Sequence, residues 1–233
     1  SKLIIGRNFD FYAGDRFAEN KIVQFVNPDS GYKFMMVTWG GMTGVVSGMN
    51  LKGLTITLNA ARSEVPSGSA TPISLLAREI LQYAKNIEEA IRIAKSRKTF
   101  VSESLLIGSA IDNKAVSLEI TPDTLAIYDT GSDHIICTNH YQSKLLGQTE
   151  SNQIQMNESA SVYRERRMSE LIDTLTNNTP EKTVAILRDK SGLNNTSIGY
   201  GNEKSINQLI AHHAIVFEPM ELRVWVSTQP WQL

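Results

Sequence analysis

Leu3-Ile4-Ile5-Gly6-Arg7-Asn8-Phe9-Asp10-Phe11 is the stretch on which the reading of the whole chain depends. Three aliphatic residues in a row read as a strand covered on both faces, where no polar alternation is needed. Arginine, asparagine and aspartate then break the apolar run within four positions. Charges that enter a core need partners or a polar cleft, because an unpaired buried charge is costly. One reading is a structural Arg7–Asp10 pair closing the strand; the other is a functional cleft. Regular pleating sends residues three apart to opposite faces, so a site shared by both requires a bulge or a strand end between them.

Outward from this strand the chain reads as segregated strands and helices. Residues 21–27 form a second strand, and Pro28-Asp29-Ser30-Gly31 supplies the turn into a third over 32–39. Thr43–Gly48 and Leu54–Leu58 form another pair, joined through Asn50-Leu51-Lys52-Gly53. The Ser-, Gly-, Ala- and Pro-rich loop 59–71 is long for a plain connection. Thr71-Pro72 predicts a helix start, with threonine as N-cap and proline in the first turn. Ile73, Leu76, Ala77, Ile80 and Ala84 give that helix its buried stripe. Asn86 and Glu89 predict the start of a second helix. Strands follow at Ser104–Ile111, Ala115–Thr121, Leu125–Asp129 and His134–Thr138. After a polar stretch (142–157), Glu158–Leu175 reads as one long helix, and Thr179-Pro180-Glu181 opens another. Ile206–Phe217 and Leu222–Ser227 read as a closing hairpin. This is an α+β pattern of antiparallel strands with separate helices.

Composition bounds the function. The chain has 233 residues, 41% hydrophobic and 20% charged, with a formal net charge of −1. That balance lacks the basic surface that nucleic-acid binding needs. No apolar run reaches the roughly 20 residues of a membrane span. The single cysteine, Cys137, precludes an intrachain disulfide and a multi-cysteine metal site. His140, His212 and His213 have no metal-ligand spacing. Glycine pairs such as Gly40-Gly41 lack the strand–loop–helix setting of a phosphate cradle. The expected partner is a small molecule, and a homo-oligomer is left open.

Gly6-Arg7-Asn8-Phe9-Asp10 resembles the Gly-Arg-Asn-x-Asp strand of the choloylglycine hydrolase and penicillin V acylase family. It is closer still to the acyl-coenzyme A:6-aminopenicillanic acid acyltransferase-like proteins. The resemblance continues through Gly48-Met49-Asn50-Leu51-Lys52-Gly53-Leu54, Leu58-Asn59-Ala60-Ala61, Thr138-Asn139-His140-Tyr141 and Val216-Phe217-Glu218-Pro219. It implies the N-terminal-nucleophile hydrolase fold, a four-layer αββα sandwich, as one domain over residues 1–233. It implies an amidohydrolase acting on a linear carbon–nitrogen amide bond, with an acyltransferase and a noncatalytic ligand-binding descendant as alternatives. No cofactor is implied.

In that family the nucleophile is an N-terminal cysteine exposed by removal of preceding residues, and its α-amino group is the base. An α-amino group titrates near pH 8 and accepts protons readily at neutral pH. This chain begins with Ser1 instead. Ser1 stands roughly 20 Å along an extended chain from Arg7, on the wrong side of the turn that joins the nucleophile strand to Gly-Arg-Asn-x-Asp. The resemblance therefore implies a preceding, cysteine-bearing strand upstream of this sequence. Leu3-Ile4-Ile5 is apolar enough to be expected at the centre of its sheet, with that strand at its open edge. By the resemblance, Arg7 and Asp10 tune the nucleophile, Asn139 and the Asn59 backbone bind the oxyanion, and Arg164 supports the network. Arg166 and Arg167 leave the register of that arginine open, and a solvated basic helix face is the alternative. The alternative for Asn139 is an Asx turn. Cys137, inside its predicted strand, is expected to be a buried core thiol.

Overall fold

The computed structural model describes residues 2–62 and 68–228. Among the described residues, ten strands form two antiparallel sheets. In the larger, β2 (Lys21–Val26), β3 (Phe34–Trp39), β4 (Ser47–Asn50), β5 (Leu54–Ala60), β6 (Glu103–Ser109), β7 (Lys114–Ile120) and β8 (Leu125–Tyr128) lie in chain order. In the smaller, β1 (Ile5–Asp10) pairs with β9 (Ala211–Glu218), which pairs with β10 (Arg223–Ser227).

Four layers follow from where the apolar faces go. Strand alternation sends Leu54, Ile56, Leu58, Leu105 and Ile107 to one side of the large sheet, where they pack under α1 (Ile73–Tyr83) and α2 (Ile87–Lys95). Met35, Val37, Met49 and Leu106 face the other way and meet Ile5, Ile215 and Phe217 of the small sheet. On the far side of the small sheet, Ala214 and Val216 pack with Val184 and Leu187 of α5 (Pro180–Leu187). Gly6 is required by this last contact. A Cβ there would collide with Thr183 and Leu187, so only glycine lets α5 lie this close to β1. The architecture is the expected αββα sandwich.

The Gly48–Leu54 motif is held by one side chain. Asn50 is 1% exposed. Its Nδ2 donates to Leu81 O and Ala84 O, both at 2.8 Å, and its Oδ1 accepts from Lys52 N (2.9 Å) and Leu54 N (3.1 Å). The β4–β5 turn is thereby riveted to the end of α1. Gly53 completes the turn with φ +71, a conformation that favours glycine.

Several local expectations need correction. Pro72, not Thr71, stands at the N-cap of α1, and no side chain caps it. β4 begins at Ser47, and β9 begins at Ala211 rather than Ile206. The helix expected over 158–175 is α4 (Ser161–Asp173), and a further helix, α3 (Glu150–Glu158), stands in the polar stretch before it. α3 is too polar to show an apolar stripe; Asn152 anchors it instead, bonding Tyr141 N (2.7 Å), Tyr141 O (3.0 Å) and Gly147 O (2.9 Å). His134–Thr138 is not a strand. No described strand pairs with it, and His134 O is taken by the Thr130 and Ser132 hydroxyls at 2.8 and 2.9 Å. β1, by contrast, agrees in position with an open edge, as expected. Among the described residues it pairs with β9 alone and leaves its other edge open.

Candidate active site

That open edge faces a cavity of about 1180 Å³. Every residue from 2 to 11 and from 132 to 139 contributes to its lining, so both segments present an edge to it rather than one face. Arg7, Asp10, Asn59, Asn139 and Arg164 all line the same cavity. Ser1 lies outside the described residues.

Arg7 is placed by alternation. Ile5, Arg7 and Phe9 are the buried positions of β1, directed between the sheets. The guanidinium reaches the large sheet, donating from Nη1 to Val46 O (2.8 Å) and Ser47 Oγ, from Nη2 to Leu58 O, and from Nε to Asn8 O (3.2 Å). It also lies 4.4 Å from the centroid of the Phe9 ring. All its hydrogen-bond acceptors are uncharged. Burial lowers its pKa to about 9, with Asp10 opposing the shift. Ser47 Oγ also contacts His213 Nε2 at 2.9 Å. Burial and the nearby Arg7 charge hold His213 well below its usual pKa, so a neutral imidazole backs the Ser47 that receives Arg7.

Asp10 is the last residue of β1 and follows a shift of register in its pairing. Phe9 pairs with His213 and Asp10 with Ala211, so His212 is the extra residue of a bulge in β9. Burial raises the Asp10 pKa, with Arg164 and then Arg7 opposing it. Arg164 projects from α4, donating to Asn139 Oδ1 and to Glu203 O, each at 2.8 Å. Burial lowers its pKa. The other two candidate arginines of α4 go elsewhere: Arg166 is exposed, and Arg167 is buried in a carboxylate pair. Only Arg164 of the three lines the cavity.

Asn139 is fixed from three sides. Its Nδ2 donates to Ala60 O (3.0 Å), its Oδ1 accepts from Arg164, and its backbone N–H donates to Ser161 Oγ (2.8 Å). Ser161 opens α4 and is bonded in turn to His140 Nδ1 (2.8 Å) and Thr138 (3.0 Å). His140 Nε2 meets Glu165 Oε2 at 3.3 Å. The Thr138-Asn139-His140 motif is thus knitted to the first turns of α4. One proton of the Asn139 amide has no partner among these bonds.

Asn59 differs from the expectation drawn for its backbone. Leu58 N–H bonds Val46 O on the β4 side, at 3.0 Å. Alternation then turns the Asn59 N–H to the opposite side, toward Ser104 of β6, within the ladder. The side-chain amide is what Asn59 presents, and Nδ2 donates to Cys137 Sγ (3.1 Å) and Cys137 O (3.4 Å). Cys137 is half-buried rather than fully buried, and it lines the cavity. Burial raises its thiol pKa, which keeps it protonated and a poor nucleophile.

Two features of the site were missed in the sequence. The Ser47–His213 support of Arg7 joins residues 166 positions apart, which no local pattern signals. Glu103, also on the cavity wall, carries no local sequence signal that singles it out. Among the described residues no three His, Cys, Asp or Glu side chains gather as a metal-holding group. No described helix is long and apolar enough to cross a membrane.

Comparison with known proteins agrees with this fold. The Caenorhabditis elegans N-acylethanolamine-hydrolyzing acid amidase ortholog superposes with a TM-score of 0.67 at 15% identity, covering 97% of this chain and 95% of its own. Penicillin V acylase from Agrobacterium tumefaciens gives 0.62 at 15% identity, over 97% and 79% of the two chains. A mutant conjugated bile acid hydrolase from Clostridium perfringens gives 0.62 at 14%, over 97% and 85%. All three have the N-terminal-nucleophile hydrolase fold, and at such identities the likeness speaks for fold. An uncharacterized protein of Archaeoglobus fulgidus is 27% identical over 130 residues, 54% of this chain and 22% of that relative, so the chain spans about a fifth of its length. Residues 1–230, nearly the whole chain, match the family model described as acyl-coenzyme A:6-aminopenicillanic acid acyl-transferase, and the chain belongs to that family.

Proposed function

We propose that the protein cleaves a linear carbon–nitrogen amide bond through an acyl-enzyme formed on a cysteine that begins a strand upstream of Ser1. The observation that carries this reading is the coincidence of the open edge of β1 with the cavity that Arg7, Asp10, Asn139 and Arg164 line. A strand added at that edge would set its first residue beside these groups. The thiol attacks the amide carbonyl, and its proton passes to the terminal amine. Asn139 donates its remaining amide proton to the oxyanion, a contribution of about 3 kcal/mol in the transition state. Asn59 acts through its side chain, supporting the 137–139 segment and, once released from Cys137, adding a second donor. Arg7 and Asp10 hold the nucleophile and its amine in register, with Arg164 linking Asp10 to Asn139.

Acyl transfer shares every step up to the acyl-enzyme and differs only in whether water or an amine then attacks. The family description favours keeping a thioester such as acyl-coenzyme A as an acyl donor in view. The test is to express the full coding sequence, determine the N-terminal residue of the mature protein, and assay amide cleavage. The expected result is cysteine at that position, with a Cys-to-Ala variant that folds but is inactive. A mature protein with no cysteine, serine or threonine there would replace the enzyme by a noncatalytic, ligand-binding scaffold.

A further inference from the structure

Glu103 opens β6 directly opposite Ala60 of β5. Alternation gives it the face of Leu105, which packs with Leu58 and Ile73 on the helix side of the large sheet. It lines the cavity together with Met42 and Val46 from the β3–β4 connection, Leu58 and Ala60 at the end of β5, and Ile73 at the start of α1. This arm of the cavity is mainly apolar, with Ser74 and the Glu103 carboxyl as its polar members.

One oxygen of that carboxyl is not satisfied by the described residues. Glu103 Oε2 is buried and has no hydrogen-bond partner among the described residues. Arg7 is the cation whose charge reaches it, yet the Arg7 bonds go to Asn8, Val46, Ser47 and Leu58. A buried acceptor without a donor is a standing cost to the fold, and a donor arriving with a ligand removes it. Burial raises the Glu103 pKa to about 7, so the group ionises readily when a cation approaches at neutral pH. A carboxylate inside apolar walls selects a ligand that is aliphatic along its length and cationic at its end.

We propose that this arm is a ligand subsite for an aliphatic segment ending in a primary ammonium group, with Glu103 as its acceptor. The inference rests on the proposed acyl-enzyme chemistry in that the segment belongs either to the acyl chain or to the amine handled beside Arg7 and Asn139. Binding itself requires no turnover, so the two can fail separately.

Hexylamine and hexanol are titrated calorimetrically into the wild-type protein, E103Q and E103D at pH 8. The amine should bind the wild type at least about tenfold tighter than the alcohol. E103Q should lose that preference while binding hexanol as the wild type does, and E103D should keep part of it. Equal affinity of amine and alcohol for the wild type, or a preference that survives in E103Q, would overturn the assignment. In the full protein, a faster reaction with a 6-aminohexanoyl than with a hexanoyl donor would put the ammonium on the acyl chain. A Glu103-dependent KM for hexylamine as acceptor would put it on the amine. An inert protein that still prefers the amine would end the enzymatic reading and leave the subsite standing.

Discussion

Two buried arginines, Arg167 and Arg7, are 1% and 7% exposed, and they are treated in opposite ways. Arg167 grips Asp189 through Nε (2.9 Å) and Nη2 (3.0 Å), Glu170 through Nη1 (2.9 Å) and Asn195 through Nη2 (2.8 Å). Its charge is paired, its pKa is raised, and it ties α4 to the chain at 189–195. Arg7 meets only uncharged acceptors, and its pKa falls to about 9. Its neighbours are unsettled too: burial raises Asp10, raises Glu103 to about 7 and lowers Arg164. The fold pairs charge where it needs rigidity and leaves charge under-compensated around the cavity. Groups held away from their ordinary pKa values in a cleft are the ones available for proton and charge transfer.

Substituting the two arginines sharpens this contrast. R167M strands two carboxylates, and it should cost about 3–5 kcal/mol in urea unfolding. R7M removes a desolvated cation and orphans neutral acceptors, so its cost should be smaller, about 1–3 kcal/mol. In the full protein, R7M should nevertheless abolish most amide cleavage, whereas whatever folded R167M remains should turn over normally. Equal stability losses, or normal turnover by R7M, would break the distinction.

A smaller effect is expected at Glu103, and its sign is set by the direction of the shift. The folded carboxyl titrates near 7 against an ordinary 4.5, so between those values the folded state holds more protons than the unfolded one. Stability therefore falls as pH rises through this window. E103Q should be more stable than the wild type by about 1–3 kcal/mol at pH 8, with the difference fading toward pH 4.5. A difference independent of pH would mean that the carboxylate is satisfied after all.

What could be read in advance follows from the range of the forces involved. Alternation marked the hairpins; a bulge or strand end was expected between Arg7 and Asp10, and β1 ends at Asp10 beside a register shift whose extra residue lies in β9. Asn86 was readable as a cap because its partner, Glu89 N, is three residues away. Less local features were not. His134–Thr138 has the composition of a strand, but a ladder needs a neighbour, and none of the described strands supplies one. α3 hid because asparagine hydrogen bonds hold it where an apolar stripe usually would. Three arginines within four residues of α4 could not be told apart until the helix had a rotation: one faces the cavity, one solvent and one Asp189.

The central claim is that chemistry occurs on a thiol seated at the open edge of β1. Intact and peptide mass spectrometry of the full, mature protein trapped with an acyl donor tests it most directly. The account predicts one acyl group, attached to a cysteine at the mature N-terminus, and lost when that cysteine is replaced by alanine. An acyl group on Cys137, or none under conditions of turnover, would contradict it.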